Sequence, residues 1–240
     1  MFRTCEAIVL NSIRFQENKL ITRVLTEDLG MRSVISSRGN AKSNRNKGLL
    51  QPLSILEISF SLREKSQLHH IREVQNAHPL LTLQQDPIKI SLALFTAELL
   101  HKALREEATS PQLFRFVRQT IIDLDDAPGV SSSFIIGFPL GLMRHLGIQP
   151  HNNRTEDAPY FHLEEGEFFR HPASSPDAPT REESLVLSEM LEALPGDVVF
   201  NTIGRPMRKR LTAILLSYLR FHRPGFGELR SYQVLEQVFH

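Results

Sequence analysis

Four cations fall within ten residues of one stretch, SSRGNAKSNRNKGLLQP (36–52): Arg38, Lys42, Arg45 and Lys47. With Arg32 they make five Lys or Arg between Met31 and Leu56, a window that holds no Asp or Glu. The interleaved Gly, Asn and Ser keep the backbone pliant and add donors for phosphate oxygens. No helical period spaces these charges, so they are not one solvated helix face. The chemistry such a loop offers is binding of a phosphate backbone or another polyanion. The plainer alternative is a solvated loop with an accidental bias of sign. Arg14 and Lys19 complete the candidate set for this basic group.

Stacking chemistry is sparser. The first 80 residues contain three aromatics, Phe2, Phe15 and Phe60, and the chain has no Trp. Readers of single-strand bases usually lay them on aromatic side chains. The region therefore reads as a phosphate tracker with little base preference. Phe15, beside Arg14 at a strand end, is open to stacking or to a core or rim role.

A second cluster, Arg205, Arg208, Lys209 and Arg210, opens a helical pattern. Cations there oppose the helix dipole, which favours acids in the first turn. A bound anion, a partner's acidic segment or an acid of the same domain is expected to compensate them. His151, His162 and His171, with the adjoining His69 and His70, match no zinc spacing, and no cysteine lies near them. DLDD (123–126) could gather a cation or simply end a helix in a solvated turn. No Gly-rich nucleotide loop or nucleophile elbow is present. No site here has convergent catalytic or metal-ligating spacing, so no metal or cofactor is expected from these residues.

The elements that position these residues change character along the chain. EAIVLNSI (6–13) and KLITRVLT (19–26) are rich in β-branched residues, with ENK as the turn between them. DLG (28–30) turns the chain again into MRSVISS. In LSILEISFSL (53–62), Leu56, Ile58, Phe60 and Leu62 alternate with polar residues. QLHHIREV (67–74) makes a fifth run. Five short strands in about 75 residues suit a small closed barrel, of which the oligonucleotide-binding OB-fold is the best-known five-stranded case. The basic stretch then joins the third strand to the fourth.

From Asp86 the period becomes helical. Asp86–Pro87 and Ser110–Pro111 each read as an N-cap followed by a first-position proline. SSFIIGFPLGLMRHLG is almost wholly apolar, which predicts a buried helix kinked at Pro139 and ended at Gly147. Residues 148–179 lose the period and hold five prolines, which predicts an irregular excursion. Thr180 and Glu183 form a capping box that restarts a helix, and two more helical patterns follow. The expectation is an α+β chain: residues 1–80 an OB-fold barrel, residues 81–240 an all-α domain with an insert at about 148–179.

Composition bounds the class. The 240 residues carry a net charge of +1, with 41% hydrophobic and 23% charged residues, as in a soluble globular protein. Residues 1–80 have 12 Lys or Arg against 7 Asp or Glu, and the remainder 16 against 20. A basic first part on an acidic remainder suggests different partners for the two. The single cysteine, Cys5, excludes an intrachain disulfide and suggests a reducing compartment. The N-terminus lacks a signal-peptide layout, and no apolar run reaches membrane-spanning length. A cytoplasmic protein with no membrane partner is expected.

Taken together, EAIVLNSI, KLITRVLTEDLGMRSVISSRG and the basic loop entering LLQPLSILEISF resemble the N-terminal barrel of the RecO family. ELLHKAL, FIIGFPLGLMRHLGIQP and ELRSYQVLEQVF resemble that family's helices in the same order. The resemblance covers the whole chain. Many members carry a four-cysteine zinc insert after the segment matching LGIQP. Here HNNRTEDAPYFHLEEGEFFRHP has no cysteine. A zinc site is not carried over, and Tyr160, Phe161, Phe168 and Phe169 are expected to hold the insert if it is held tightly.

The resemblance implies a DNA-repair and recombination mediator that binds single- and double-stranded DNA and anneals complementary strands. It implies RecR as a partner in helping RecA displace single-strand-binding protein, without nucleotide hydrolysis. It also implies docking of that protein's acidic C-terminal tail on the helical domain, for which Arg115, Arg118 and Arg144 are candidates. Two other classes remain open on the residues alone: a protein-interaction module docking an acidic segment, and a metal-dependent hydrolase built on DLDD and the insert histidines.

Overall fold

The structure is a computed structural model that describes residues 2–16, 19–37, 48–61, 68–104, 110–193 and 202–238. They pack as two compact units, Met1–Val130 with Glu228–His240, and Ser131–Gly227.

The first unit is built on five strands: β1 (Phe2–Phe15), β2 (Lys19–Thr26), β3 (Gly30–Ser37), β4 (Ile55–Ser61) and β5 (Leu68–His78). They close into a barrel in the order β1-β2-β3-β5-β4. Every pairing is antiparallel except β3 with β5. The alternation read in LSILEISFSL has its physical cause here. Leu56, Ile58 and Phe60 point inward and are buried with Ala7, Val9, Val24 and Val34, while Glu57 and Ser59 point out. Leu62 lies outside the described residues. The first strand is longer than its β-branched centre suggests, because its N-terminal half pairs with β4 and its C-terminal half with β2. A register shift between Val9 and Asn11 lets one strand serve both neighbours.

Two helices follow, α1 (Pro87–Ala103) and α2 (Pro111–Asp126). The predicted caps are in place: Asp86 accepts from the N–H groups of Ile88 and Lys89, and Ser110 from that of Leu113. α1 packs against β1. The outward row Ile8, Leu25 and Ile55 is accordingly buried, although it faces away from the barrel core. The last helix, α6 (Arg230–Val238), returns to α1. Phe95 and Tyr232 meet there with ring centroids 6.3 Å apart.

The second unit holds α3 (Phe134–His145), α4 (Arg181–Glu192) and α5 (Arg205–His222). α3 is apolar and largely buried, with Pro139 inside it. It ends at Gly147, φ +66°, where Gly147 N–H donates to Arg144 O and Ile148 N–H to Met143 O. That pair of bonds is a Schellman motif, and the left-handed backbone it needs favours glycine. The Thr180–Glu183 capping box opens α4.

Residues 148–179, expected to be irregular, contain one regular piece. β6 (Tyr160–His162) and β7 (Glu167–Phe169) pair as a short hairpin. Phe161 and Phe168 are buried 5.1 Å apart, and Phe161 lies 6.0 Å from the Tyr218 ring of α5. Fully burying one such side chain is worth about 1.5–3 kcal/mol. Polar ties complete the clamp. Phe161 N–H donates to Ser184 Oγ, and Phe168 N–H to Asn153 Oδ1. Of the other two aromatics expected to hold the insert, Tyr160 is half-buried and Phe169 is exposed over the His162 ring.

Candidate nucleic-acid interface

The barrel wall divides by charge. β2 and β3 carry Lys19, Arg23 and Arg32 and no acid. β4 and β5 carry Glu57 and Glu73 beside Arg72. Glu6 of β1 lies directly across from Glu57. Two like charges in register would repel, and each carboxylate has its own partner. Glu6 accepts from Arg118 at 2.6 Å, and Glu57 accepts from Gln75 Nε2 at 2.5 Å. The β1 tip, β2 and β3 therefore form the electropositive wall.

Within that wall, antiparallel register assigns each residue a face. Val24 and Val34 are core residues, so Thr22 and Leu20 also point inward, while Lys19, Ile21 and Arg23 point outward. Arg14 is directly opposite Leu20 and lies on the inward row at the open end of the barrel, where it is exposed. Phe15, opposite Lys19, is on the outer face.

Arg32, on the row of Val24, donates to Met31 O at 2.9 Å. It also lies close enough to His69 to affect its titration. Burial chiefly, and the Arg32 charge in addition, hold the His69 pKa below the usual histidine value. Arg38, Lys42, Arg45 and Lys47, the centre of the predicted basic loop, lie outside the described residues. Arg23, which is outside the candidate set read from the sequence, shares the outward row with Lys19. The alternation of KLITRVLT puts positions 19, 21 and 23 on one face.

The second predicted patch opens α5, but its cations differ in their surroundings. Arg210 is paired with Glu183, its Nε at 2.7 Å from one carboxylate oxygen and Nη2 at 3.2 Å from the other. Arg208 donates to Ile203 O. Arg205 and Lys209 are exposed. Thus Glu183 both caps α4 and compensates a cation near the start of α5. Burial would raise its pKa, but the Arg210 bond and the Thr180 N–H outweigh that and lower it.

The three tail-pocket candidates do not share a helix. Arg115 and Arg118 stand on α2 of the first unit, bonded to Pro111 O and Glu6. Arg144 belongs to α3 of the second unit and donates to Leu191 O at 2.9 Å, at the end of α4.

His162, His151 and Asp125, read as candidates for metal chemistry, have structural partners. His162 Nε2 is 2.7 Å from His171 O, and His151 Nδ1 is 3.4 Å from Glu167. Within DLDD, Asp125 is buried and accepts from the N–H groups of Leu81, Thr82 and Leu83 at 2.9, 2.8 and 2.6 Å. Lys89 Nζ donates beside it to Thr82 Oγ1, Asp125 O and Ala127 O. Among the described residues, no group of three or more His, Cys, Asp or Glu is placed to hold a metal ion. Burial, with the Asp28 carboxylate, pushes the Cys5 thiol up to about 11, so its reactive thiolate is scarce near neutrality. No helix among the described residues is long and apolar enough to cross a membrane.

A five-stranded OB-type barrel with one cationic wall, followed by helices, defines the class of protein. Family models narrow it. "Recombination protein O N terminal" matches residues 1–80, and "Recombination protein O C terminal" matches residues 84–227. The chain belongs to the RecO family. It is similar to proteins named DNA repair protein RecO from three bacteria. That of Flavobacterium psychrophilum is 30% identical over 98% of both chains. Those of Phocaeicola vulgatus and Azobacteroides pseudotrichonymphae are 29% and 28% identical over the full length of both.

Proposed function

We propose that the protein acts in recombinational DNA repair by binding DNA and annealing complementary strands. In this role it works with RecR to help RecA load onto single-stranded DNA coated by single-strand-binding protein. The observation that carries the reading is the acid-free wall of β2 and β3 in a chain that belongs to the RecO family from barrel to helices. Residues 1–80 are the proposed DNA-binding part, with Arg14, Lys19, Arg32 and the loop cations Arg38, Lys42, Arg45 and Lys47 against phosphates. Two DNA backbones repel as they approach, and cations shared between them offset that repulsion. The activity is binding, so turnover of DNA or nucleotide plays no part in it. The acidic tail of single-strand-binding protein is the proposed ligand of the helical part, with Arg115, Arg118 and Arg144 as its candidate cations.

The test is annealing of bare and protein-coated complementary strands across salt, with DNA binding measured alongside. Replacing Arg38, Lys42, Arg45 and Lys47 by Ala should slow annealing and flatten the log–log salt slope by about two to three units, at roughly 0.7 per phosphate contact on single strands. An unchanged slope and rate would remove the loop from the mechanism.

A further inference from the structure

A cleft of about 550 Å³ opens in the second unit, within the size range of small-ligand sites. Three pieces of chain wall it: the turn between β6 and β7, the segment that leads into the Thr180 cap, and one face of α5. Those walls are tied down. Gly166 in the turn lies against Tyr218 of α5, and His222 Nε2 is 2.9 Å from Leu163 O. In the second wall, Ala178 N–H donates to Ser175 O and Asp177 N–H to Ser175 Oγ. On α5, Arg220 and Phe221 stand three and four residues after Ser217, so the three share the face that reaches the cleft.

The lining joins an exposed ring to an excess of acid. Phe221 is 52% exposed although it is a large apolar side chain. Glu164, Glu165 and Asp177 bring three carboxylates to the cleft against one cation, Arg220. Among the described residues, none of the three has a hydrogen-bonded cation. Glu165 lies 3.7 Å from His162 Nδ1, and the Arg210 near Asp177 is already bonded to Glu183.

The charge pattern selects the occupant. Three carboxylates repel a phosphate backbone or an acidic peptide, so the cleft suits neither DNA nor an acidic tail. The ligand is a cation, and the exposed ring calls for a flat or apolar body on it. Guanidinium has both properties: it stacks on aromatic faces, and its planar fork pairs with carboxylates. An ammonium shares the charge but not the fork. We propose that the cleft receives an arginine side chain from an extended segment of a partner protein, with its guanidinium on Phe221 and between Glu164, Glu165 and Asp177. Arg220, whose Nε reaches only Gly227 O at 3.4 Å, has donors left for a backbone carbonyl of the same segment. The proposal goes beyond the DNA-binding reading and does not depend on it. The acidic remainder of the chain, 16 Lys or Arg against 20 Asp or Glu, takes a basic partner.

The experiment measures binding of a fluorescein-labelled, end-capped Gly-Arg-Gly-Arg-Gly peptide to the full chain, with the citrulline peptide, which keeps the shape but not the charge, alongside. The arginine peptide should bind about tenfold tighter than its citrulline counterpart. Glu164→Gln combined with Asp177→Asn should weaken it about tenfold and flatten its salt dependence. Phe221→Ala should weaken it about fivefold, and Phe221→Tyr, which keeps the ring, should restore it. Glu156→Gln with Asp157→Asn removes two exposed acids outside the cleft and should change affinity by no more than about twofold. Equal binding of the arginine and citrulline peptides, or of neither, overturns the proposal. So does a loss in the Glu156 and Asp157 variant as large as that in the cleft variant, which would mean a diffuse attraction to acid. Spermidine that binds the cleft more tightly than the peptide also overturns it, and assigns the site to a free polyamine.

Discussion

Single residues in this protein often carry structural duties that their type alone does not announce. Asp125 is the clearest case. Read as one of four residues in DLDD, it could have been a metal ligand or a solvated helix end. In the fold it satisfies three consecutive backbone N–H groups of the segment that leaves the barrel. Buried donors left without partners are costly, and hydrogen bonds to a charged acceptor contribute about 1.5–3 kcal/mol each, net of exchange with water. Asp125→Ala is expected to lower stability by about 3 kcal/mol, seen as a lower urea midpoint at unchanged m-value. Gly166 is a second case. It has φ +72°, and a Cβ there would come 3.0 Å from Tyr218 Oη, which itself donates to Ile148 O. The turn between β6 and β7 can approach α5 because that position is glycine.

At the scale of elements, the least legible feature is how α6 is anchored. Its first turn has no acid of its own. The Glu98 carboxylate of α1 supplies the cap, accepting from Arg230 N–H at 3.2 Å and from Ser231 N–H at 2.8 Å. A negative charge at a helix N-terminus also meets the favourable end of the dipole. Glu98→Gln keeps an acceptor but removes the charge, at a cost of about 1 kcal/mol. Hydrogen exchange should show α6 amides exchanging about fivefold faster while β1 core amides stay as slow as before. Uniform acceleration of both would mean that the cap supports the whole unit and not this helix.

At the scale of the whole molecule, three carboxylates among the described residues are held in their charged form by the fold. Burial opposes ionisation of Asp125, Glu98 and Glu183, but their hydrogen bonds and cations prevail and lower each pKa. The folded value lies below the unfolded one, so each contribution is fully present above the unfolded values of about 3.9 to 4.3. It is lost as pH falls through the folded values. The urea midpoint should therefore drop steeply from about pH 5 downward, and Asp125→Asn should make that drop shallower. The charge asymmetry belongs to this scale too. A net charge of +1 conceals a basic barrel region and an acidic remainder, and the barrel itself divides again into a cationic and an acidic wall.

Much of this was legible in the chain. Alternation in LSILEISFSL, caps at Asp86, Ser110 and Thr180, and the glycine stop at Gly147 act over a few residues, so local physics determines them. The barrel class followed from five short strands and the turns between them. Only the tertiary structure decided which neighbour each strand takes, and hence that Arg32 lies opposite Val24 on the inner row. Residues 148–179 lack helical period because their order comes from Phe161, packed on Phe168, meeting the Tyr218 ring of a helix far along the chain. The partners of Arg118, Arg144 and Arg210 are likewise distant in sequence. Cation clusters and apolar periods can be read along the chain. Whether a cation faces a phosphate or a neighbouring carboxylate depends on contacts that form only when distant segments pack.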